Sequence, residues 1–193
     1  MEKKYLIYAL LVSILLQGCK KATDTTAAYP YHLNVSINKV NFTTNSVARF
    51  GLSNEAGCVA NKSFEVTNAG QIDVDAYFLD CYFKHFTNNI DFKNTKTGSY
   101  KIFDGGDLLK ANQCNGDLII GLTDNSINNL YSTAILQPTN IVHKITNISI
   151  VDTTAATTIT YSVSGNFSCN FKNANNVIIP ITGDYVLPIK IIK

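Results

Sequence analysis

A chain of 193 residues with a formal net charge of +2 is long enough for one domain with its own core. Its 16 basic and 14 acidic residues leave no charge excess that would favour nucleic acid or a strongly acidic partner. Arg49 is the only arginine, which argues against a cluster of guanidinium groups that clamps phosphates.

The amino terminus has the pattern of a secretory signal peptide. Two lysines precede an apolar segment, residues 5–16, that is too short to cross a bilayer as a helix. The run Leu16-Gln17-Gly18-Cys19 follows and resembles the lipobox of bacterial lipoproteins, although Gln17 is larger than the usual occupant. The resemblance implies cleavage before Cys19, acylation of that residue with palmitate-type chains, and stable anchoring in a bilayer.

These features divide the chain into three parts. Residues 1–18 are the predicted signal peptide, residues 19–31 the lipidated cysteine and a tether, and residues 32–193 a single β-sandwich domain. A fully stretched tether reaches roughly 40 Å, so the domain is expected to stay close to its membrane. The expected location is the cell envelope, at the outer membrane.

The strongest pattern in the chain is a long hairpin near its carboxyl end. From Ile159 to Phe171 the odd positions are apolar or glycine, and the even positions are polar. Because successive side chains of a strand point to opposite faces, this alternation predicts one buried and one wet face. A turn-forming run, residues 173–176, precedes a second alternating stretch, residues 177–192. Pro180 and Pro188 in that stretch lack two N–H donors on one flank, which predicts that it lies at a sheet edge.

Shorter strands are predicted upstream, the first of them over residues 33–37. Residues 77–87 fit either a helix or a strand, and strand is favoured because aromatic residues dominate the segment. The remaining predicted strands are residues 47–52, 63–67, 99–103, 117–123, 131–136 and 141–151. With no sustained helical period, the fold class is all-β, an antiparallel β-sandwich or a partly open barrel.

Short motifs in the second half of the chain resemble small Gram-negative lipoprotein domains of unknown function. They are Gly98-Ser99-Tyr100, the strand 145–150, Ser164-Gly165-Asn166-Phe167-Ser168 and Ile181-Thr182-Gly183-Asp184. The resemblance covers residues 98–192. It implies a β-sandwich and brings no catalytic residues.

Four cysteines remain beyond the one at the lipobox. An even number in an exported chain predicts two disulfides, with three possible pairings. None of them forms a CxxC pair, which argues against zinc. The disulfide candidates are Cys58, Cys81, Cys114 and Cys169.

No catalytic motif is assembled in the sequence, and no cofactor is expected. His32, His85 and His143 lie in or beside predicted strands without metal-ligand spacing, and are expected to be exposed or hydrogen-bonded strand residues. No Gly-x-Ser-x-Gly elbow is present. A hydrolase would have to assemble its site in three dimensions, for instance around His85 and Asp80.

Three further patterns have weaker chemical interpretations. Asp73, Asp75 and Asp80 could converge for acid–base chemistry, but the alternating run Asp73-Val74-Asp75 also fits the wet face of a strand. The run Asp104-Gly105-Gly106-Asp107 lacks the further carboxylates of a calcium loop and fits a turn. Thr25 and Thr153 each follow an aspartate in a pattern that resembles acceptors of O-glycans in some Gram-negative envelopes.

The functional expectation is a lipid-anchored, non-catalytic domain that binds a small ligand or an envelope protein. One competing hypothesis is the hydrolase just described. The other is a lipid-anchored inhibitor or immunity protein, which would expose an apolar patch.

Overall fold

The computed structural model describes residues 31–44, 49–54, 62–74, 77–104, 115–124, 141–172 and 176–193. These residues form two β-sheets and one short helix. The elements are β1 (His32–Ile37), β2 (Val40–Thr44), β3 (Arg49–Asn54), β4 (Ser63–Val74), β5 (Tyr77–Phe86), α1 (Asn89–Phe92), β6 (Gly98–Tyr100), β7 (Ile102–Asp104), β8 (Leu118–Asp124), β9 (Val142–Asp152), β10 (Thr158–Lys172) and β11 (Ile178–Ile192).

The two sheets form a sandwich that does not close into a barrel. The first sheet has six antiparallel strands in the order β2-β1-β11-β10-β9-β6. The second has five strands in the order β3-β4-β5-β8-β7, antiparallel except for the parallel pair β7 and β8. The predicted all-β sandwich is confirmed, and the ambiguous segment at residues 77–87 is a strand.

The predicted hairpin is the longest pairing of the first sheet. Its register runs from Thr158 opposite Ile192 to Lys172 opposite Ile178. The odd residues face the core, as the alternation predicts. Those buried are Tyr161, Val163, Gly165, Phe167, Cys169 and Phe171 on β10, and Ile179, Ile181, Tyr185, Leu187, Ile189 and Ile191 on β11.

The predicted edge position of β11 is wrong, because β1 pairs with its other flank. That pairing spans residues 181–186 of β11, between Pro180 and Pro188. The carbonyl of Pro180 accepts a hydrogen bond from the N–H of Asn38 at 2.9 Å, so the flank on which Pro180 lacks a donor faces β1. A six-residue strand therefore fits between two prolines without requiring their missing N–H groups.

The predicted strand at residues 99–103 is also corrected, since two strands occupy this region. Tyr100 belongs to β6, which pairs with β9, whereas Ile102 belongs to β7, which pairs with β8. The chain thus passes from one sheet to the other within a few residues. The predicted strand at residues 131–136 lies outside the described residues.

A row of contacting rings runs through the interior and ends near α1. Neighbouring ring centroids are 4.8–6.2 Å apart, within the range of aromatic contacts. The row contains side chains from both sheets, and Phe92 of α1 belongs to it through contacts with His85 and Tyr161. In order, its members are Tyr100, His143, Tyr185, Phe83, His85, Phe92 and Tyr161.

Candidate functional site

A groove of about 640 Å³ lies where the segment after α1 faces β9 and the start of β10. We call it the loop groove. Its apolar lining comes from Phe92, Ile148, Ile150 and Tyr161, and its polar lining from Lys93, Thr95, Lys96 and Thr97. This volume lies within the range of sites for small molecules, and the groove is more open than enclosed.

The apolar side exists because β9 carries inward-facing isoleucines that lack a complete cover. Ile148 lies opposite Val163, and Ile150 opposite Tyr161, on adjacent antiparallel strands. Directly opposed residues share a sheet face, so both isoleucines lie on the core side of the sandwich. Ile150 nevertheless remains 55 % exposed, and Ile148 is only partly buried. Apolar surface that would normally join the core is therefore open to solvent here.

Hydrogen bonds hold the polar side of the groove in place. The hydroxyl of Tyr100 donates to the carbonyl of Lys96 at 2.6 Å and accepts from its N–H at 3.2 Å. The side-chain amide of Asn115 donates to the hydroxyl of Thr95. The segment 93–97 is thus tied to β6 and to the chain just before β8, which favours a groove that is formed before a ligand arrives.

The single turn of α1 is fixed in a similar way. The side-chain oxygen of Asn88 accepts a hydrogen bond from the N–H of Asp91 at 2.9 Å, the usual arrangement at a helix start. Lys62 forms an ion pair with Asp91, and the hydrogen bond from Lys62 is the main reason that the pKa of this carboxyl is lowered. The hydroxyl of Tyr161 donates to Asn89 at 2.5 Å and joins α1 to β10.

The charge of the loop groove is positive. Lys93 and Lys96 are exposed lining residues, and no carboxylate is found among the lining residues that the structure describes. The nearby carboxylate of Asp91 already has Lys62 and Asn88 as partners. The described lining therefore combines an apolar surface with two ammonium groups, an arrangement that is suited to binding.

A second concavity, of about 520 Å³, lies on the outer face of the six-stranded sheet. It is lined mainly by amides and hydroxyls, and its carboxylate, Asp184, is already engaged. The Nδ2 of Asn34 and the Nε2 of His32 each lie 2.9 Å from Asp184 Oδ2. The hydroxyl of Thr43 also donates to Asn34 at 2.9 Å, so part of the polar lining is already hydrogen-bonded.

The structure does not bring His85 and Asp80 together. His85 is fully buried, with Nδ1 2.9 Å from the carbonyl of Phe86 and Nε2 2.8 Å from the hydroxyl of Thr67. Asp80 accepts a hydrogen bond from Gln71 at 2.7 Å. Residues 80 and 85 differ in parity along β5, so they point to opposite faces of the sheet.

The other two histidines are not among the described lining residues of the groove, and they have different surroundings. His32 is partly exposed and contacts Asp184, as described above. His143 is fully buried, and its Nε2 lies 2.8 Å from the hydroxyl of Tyr185. Burial lowers the pKa of this imidazole to about 4, and the Lys101 backbone opposes part of that effect. His143 is therefore neutral at pH 7.

Among the cysteines in the part of the chain that is described, Cys81 and Cys169 are buried free thiols. They lie on β5 and β10, one in each sheet, within a single hydrophobic core. Cys58 and Cys114 lie outside the described residues, so the disulfides expected from the sequence stay a prediction.

Some of the other residues singled out in the sequence lie outside the described residues. Cys19 and Thr25 are two of them. Thr153 is exposed after β9, where Asp152 accepts hydrogen bonds from the N–H and hydroxyl of Thr154 at 2.8 and 2.7 Å. Asp73 is exposed on β4, and Asp104 ends β7 before an undescribed segment.

Within the described ranges, no group of three or more histidine, cysteine or acidic residues could hold a metal ion. None of the helices that are described is long and apolar enough to cross a membrane. The exposed large apolar side chains of these ranges are distributed over β2, α1, β9 and both ends of β11.

Sequence reasoning missed the loop groove. Phe92 and the two lysines belong to a segment without periodicity, and Ile148 and Ile150 fit an ordinary strand. The one local signal is that β9 is apolar on the face shared with Tyr161.

Neither a family model, a curated protein nor a solved structure matches this chain.

Proposed function

We propose that this chain is an exported lipoprotein, anchored to the outer membrane through Cys19, whose β-sandwich binds a small apolar molecule in the loop groove without transforming it. The observation that supports the binding role is the exposed apolar lining of the groove, above all Ile150. The lipobox resemblance at residues 16–19 supports the anchor.

The groove has the features that a reversible binding site needs. Burying apolar surface contributes about 25 cal/mol per Å², and the isoleucines supply such surface at the edge of a rigid core. The hydrogen bonds of Tyr100 and Asn89 reduce the ordering cost of binding because they fix the groove beforehand.

The hydrolase and inhibitor hypotheses have less support. A hydrolase around His85 requires a reachable base, but His85 is fully buried and separated from Asp80 by the sheet itself. An inhibitor would dock through a continuous apolar patch, and the exposed apolar residues are distributed over several elements.

Two measurements test this proposal. Cys19→Ser is expected to move the protein from the membrane fraction to the soluble fraction while the circular dichroism of the domain stays unchanged. Unchanged membrane association of the variant would refute the anchor.

Binding is tested on the domain without signal and lipid, with Nile red as a neutral apolar probe. Ile150→Thr keeps a β-branched residue on β9 but removes apolar surface, and is expected to weaken binding several-fold. Val142→Thr is the matched control, because Val142 is a 51 % exposed residue of the same strand outside the groove. Equal loss in both variants, or no binding at all, would refute the groove as the site.

A further inference from the structure

The two lysines of the loop groove lie at one side of an apolar surface. This combination of positive charge and apolar surface restricts the chemical class of the ligand. Lys93 and Lys96 lie three positions apart with Thr95 between them, on the polar side of the groove. Phe92, Ile148, Ile150 and Tyr161 form the other side. A ligand that fills the groove would therefore contact ammonium groups and hydrophobic side chains together.

We propose that the loop groove binds a single anionic amphiphile, an acyl chain that ends in a carboxylate or phosphate. This inference rests on the proposed function, since it assumes that the groove is the binding site. The chain lies against Ile148 and Ile150, and the anionic group contacts the ammonium groups of Lys93 and Lys96.

Charge complementarity selects this class over neutral and cationic ligands. The lining residues that the structure describes include two positive side chains and no negative one. The carboxylate of Asp91, in α1 just before the lining lysines, is held by Lys62 and Asn88. Among the described residues, neither Lys93 nor Lys96 forms an ion pair with a carboxylate, and both side chains are exposed, so they can contact an anionic group.

The shape of the site favours a single molecule over a bilayer surface. The apolar residues line a concavity of about 640 Å³, which is within the range that holds one small ligand. Binding to a bilayer surface instead requires apolar side chains that project outward from a basic face. Ile148 is partly buried and Tyr161 is 5 % exposed, so these two side chains line the groove without projecting from the domain, whereas Ile150 is 55 % exposed and is open to solvent.

The test compares three ligands that share a twelve-carbon chain, at concentrations below micelle formation. They are dodecanoate, dodecan-1-ol and dodecyltrimethylammonium, each measured by displacement of Nile red from the domain. Dodecanoate is expected to bind about tenfold more tightly than dodecan-1-ol, as two exposed ion pairs together allow. The advantage is expected to shrink with added salt because exposed charges are screened.

The charge contribution is assigned with a double variant and its control. Lys93→Gln/Lys96→Gln is expected to remove the preference for dodecanoate over dodecan-1-ol, and a preference that is retained would overturn the inference. Lys144→Gln/Lys190→Gln removes the same net charge from exposed positions outside the groove and is expected to keep the preference.

Each outcome separates this inference from the proposed function. Equal affinity for dodecanoate and dodecan-1-ol overturns the inference and leaves apolar binding intact. Binding of Nile red that none of the three ligands displaces overturns the inference alone, whereas no binding of Nile red overturns both. Retention on vesicles of anionic phospholipid without displacement by monomeric dodecanoate or dodecyl phosphate identifies a membrane surface and overturns the inference as well.

Discussion

The ring of Phe167 on β10 lies over Gly183, the residue directly opposite on β11. A Cβ added to Gly183 would lie 2.5 Å from Cζ of Phe167 and 2.6 Å from the carbonyl oxygen of Asn34 on β1. The neighbouring pair repeats this arrangement in the other direction, because Tyr185 lies over Gly165. Each glycine therefore provides the space for an aromatic ring of the opposite strand.

We expect Gly183→Ala to destabilise the domain by about 1–3 kcal/mol, because the ring and the Asn34 carbonyl must both move. Phe167→Leu relieves the contact with the ring but not that with the carbonyl. Urea denaturation of the two single variants and the double variant measures the coupling. A double variant whose loss equals the sum of the single losses would contradict the ring contact.

Phe167→Ala tests the orientation of the hairpin. The side chain is 3 % exposed, and its removal is expected to cost roughly 3–5 kcal/mol. Ser168→Ala changes the adjacent residue on the outer face and is expected to stay within about 0.5 kcal/mol. Chemical denaturation of both variants provides the comparison. Similar losses would mean that β10 is buried on both faces.

The buried imidazole of His143 is expected to make the domain less stable at mildly acidic pH. Its Nε2 lies 2.8 Å from the hydroxyl of Tyr185, and Nδ1 has no hydrogen-bond partner in the described part of the chain. Burial lowers the pKa of the imidazole from 6.5 to about 4. The unfolded chain therefore binds a proton that the folded domain does not, as the pH falls from 6.5 to 4.

This contribution to stability is fully present above pH 6.5 and is lost as the pH falls towards 4. The complete loss amounts to about 3 kcal/mol. His143→Gln, which keeps a side-chain donor, is expected to flatten the free energy of unfolding over this pH range. An unchanged slope in His143→Gln would contradict this account.

The buried thiols are expected to be unreactive in the folded domain. Burial raises the pKa of Cys169 to about 12 and is also the main cause of the raised pKa of Cys81, to which Cys169 contributes. In reduced protein at pH 8, iodoacetamide should label these residues only after denaturation, as measured by peptide mass spectrometry. Rapid labelling of the folded domain would contradict their burial.

The same reagent tests the disulfides expected from the sequence. Exported protein that is denatured without a reducing agent is expected to show no labelling if two disulfides have formed. Full labelling of all four cysteines would refute that expectation. The four positions are Cys58, Cys81, Cys114 and Cys169.

Local sequence determined the faces of the strands, because the side-chain period of a strand is a local property. The alternation at residues 159–171 identified the buried side of β10, and the aromatic residues of 77–87 correctly favoured a strand. The export prediction likewise rests on adjacent residues, namely the two lysines and the apolar segment at the start of the chain.

Tertiary structure decided which strands are neighbours and where the groove lies. Pro180 and Pro188 indicated an edge, but β1 lies far away in the chain and pairs with the residues between them. The division of residues 98–104 between the two sheets likewise depends on β8 and β9 as partners. The loop groove combines Lys93 and Lys96 with Ile150 of β9, so it exists only after packing brings distant segments together. Local periodicity cannot contain such information, since long-range pairing is selected by the complementarity of whole surfaces.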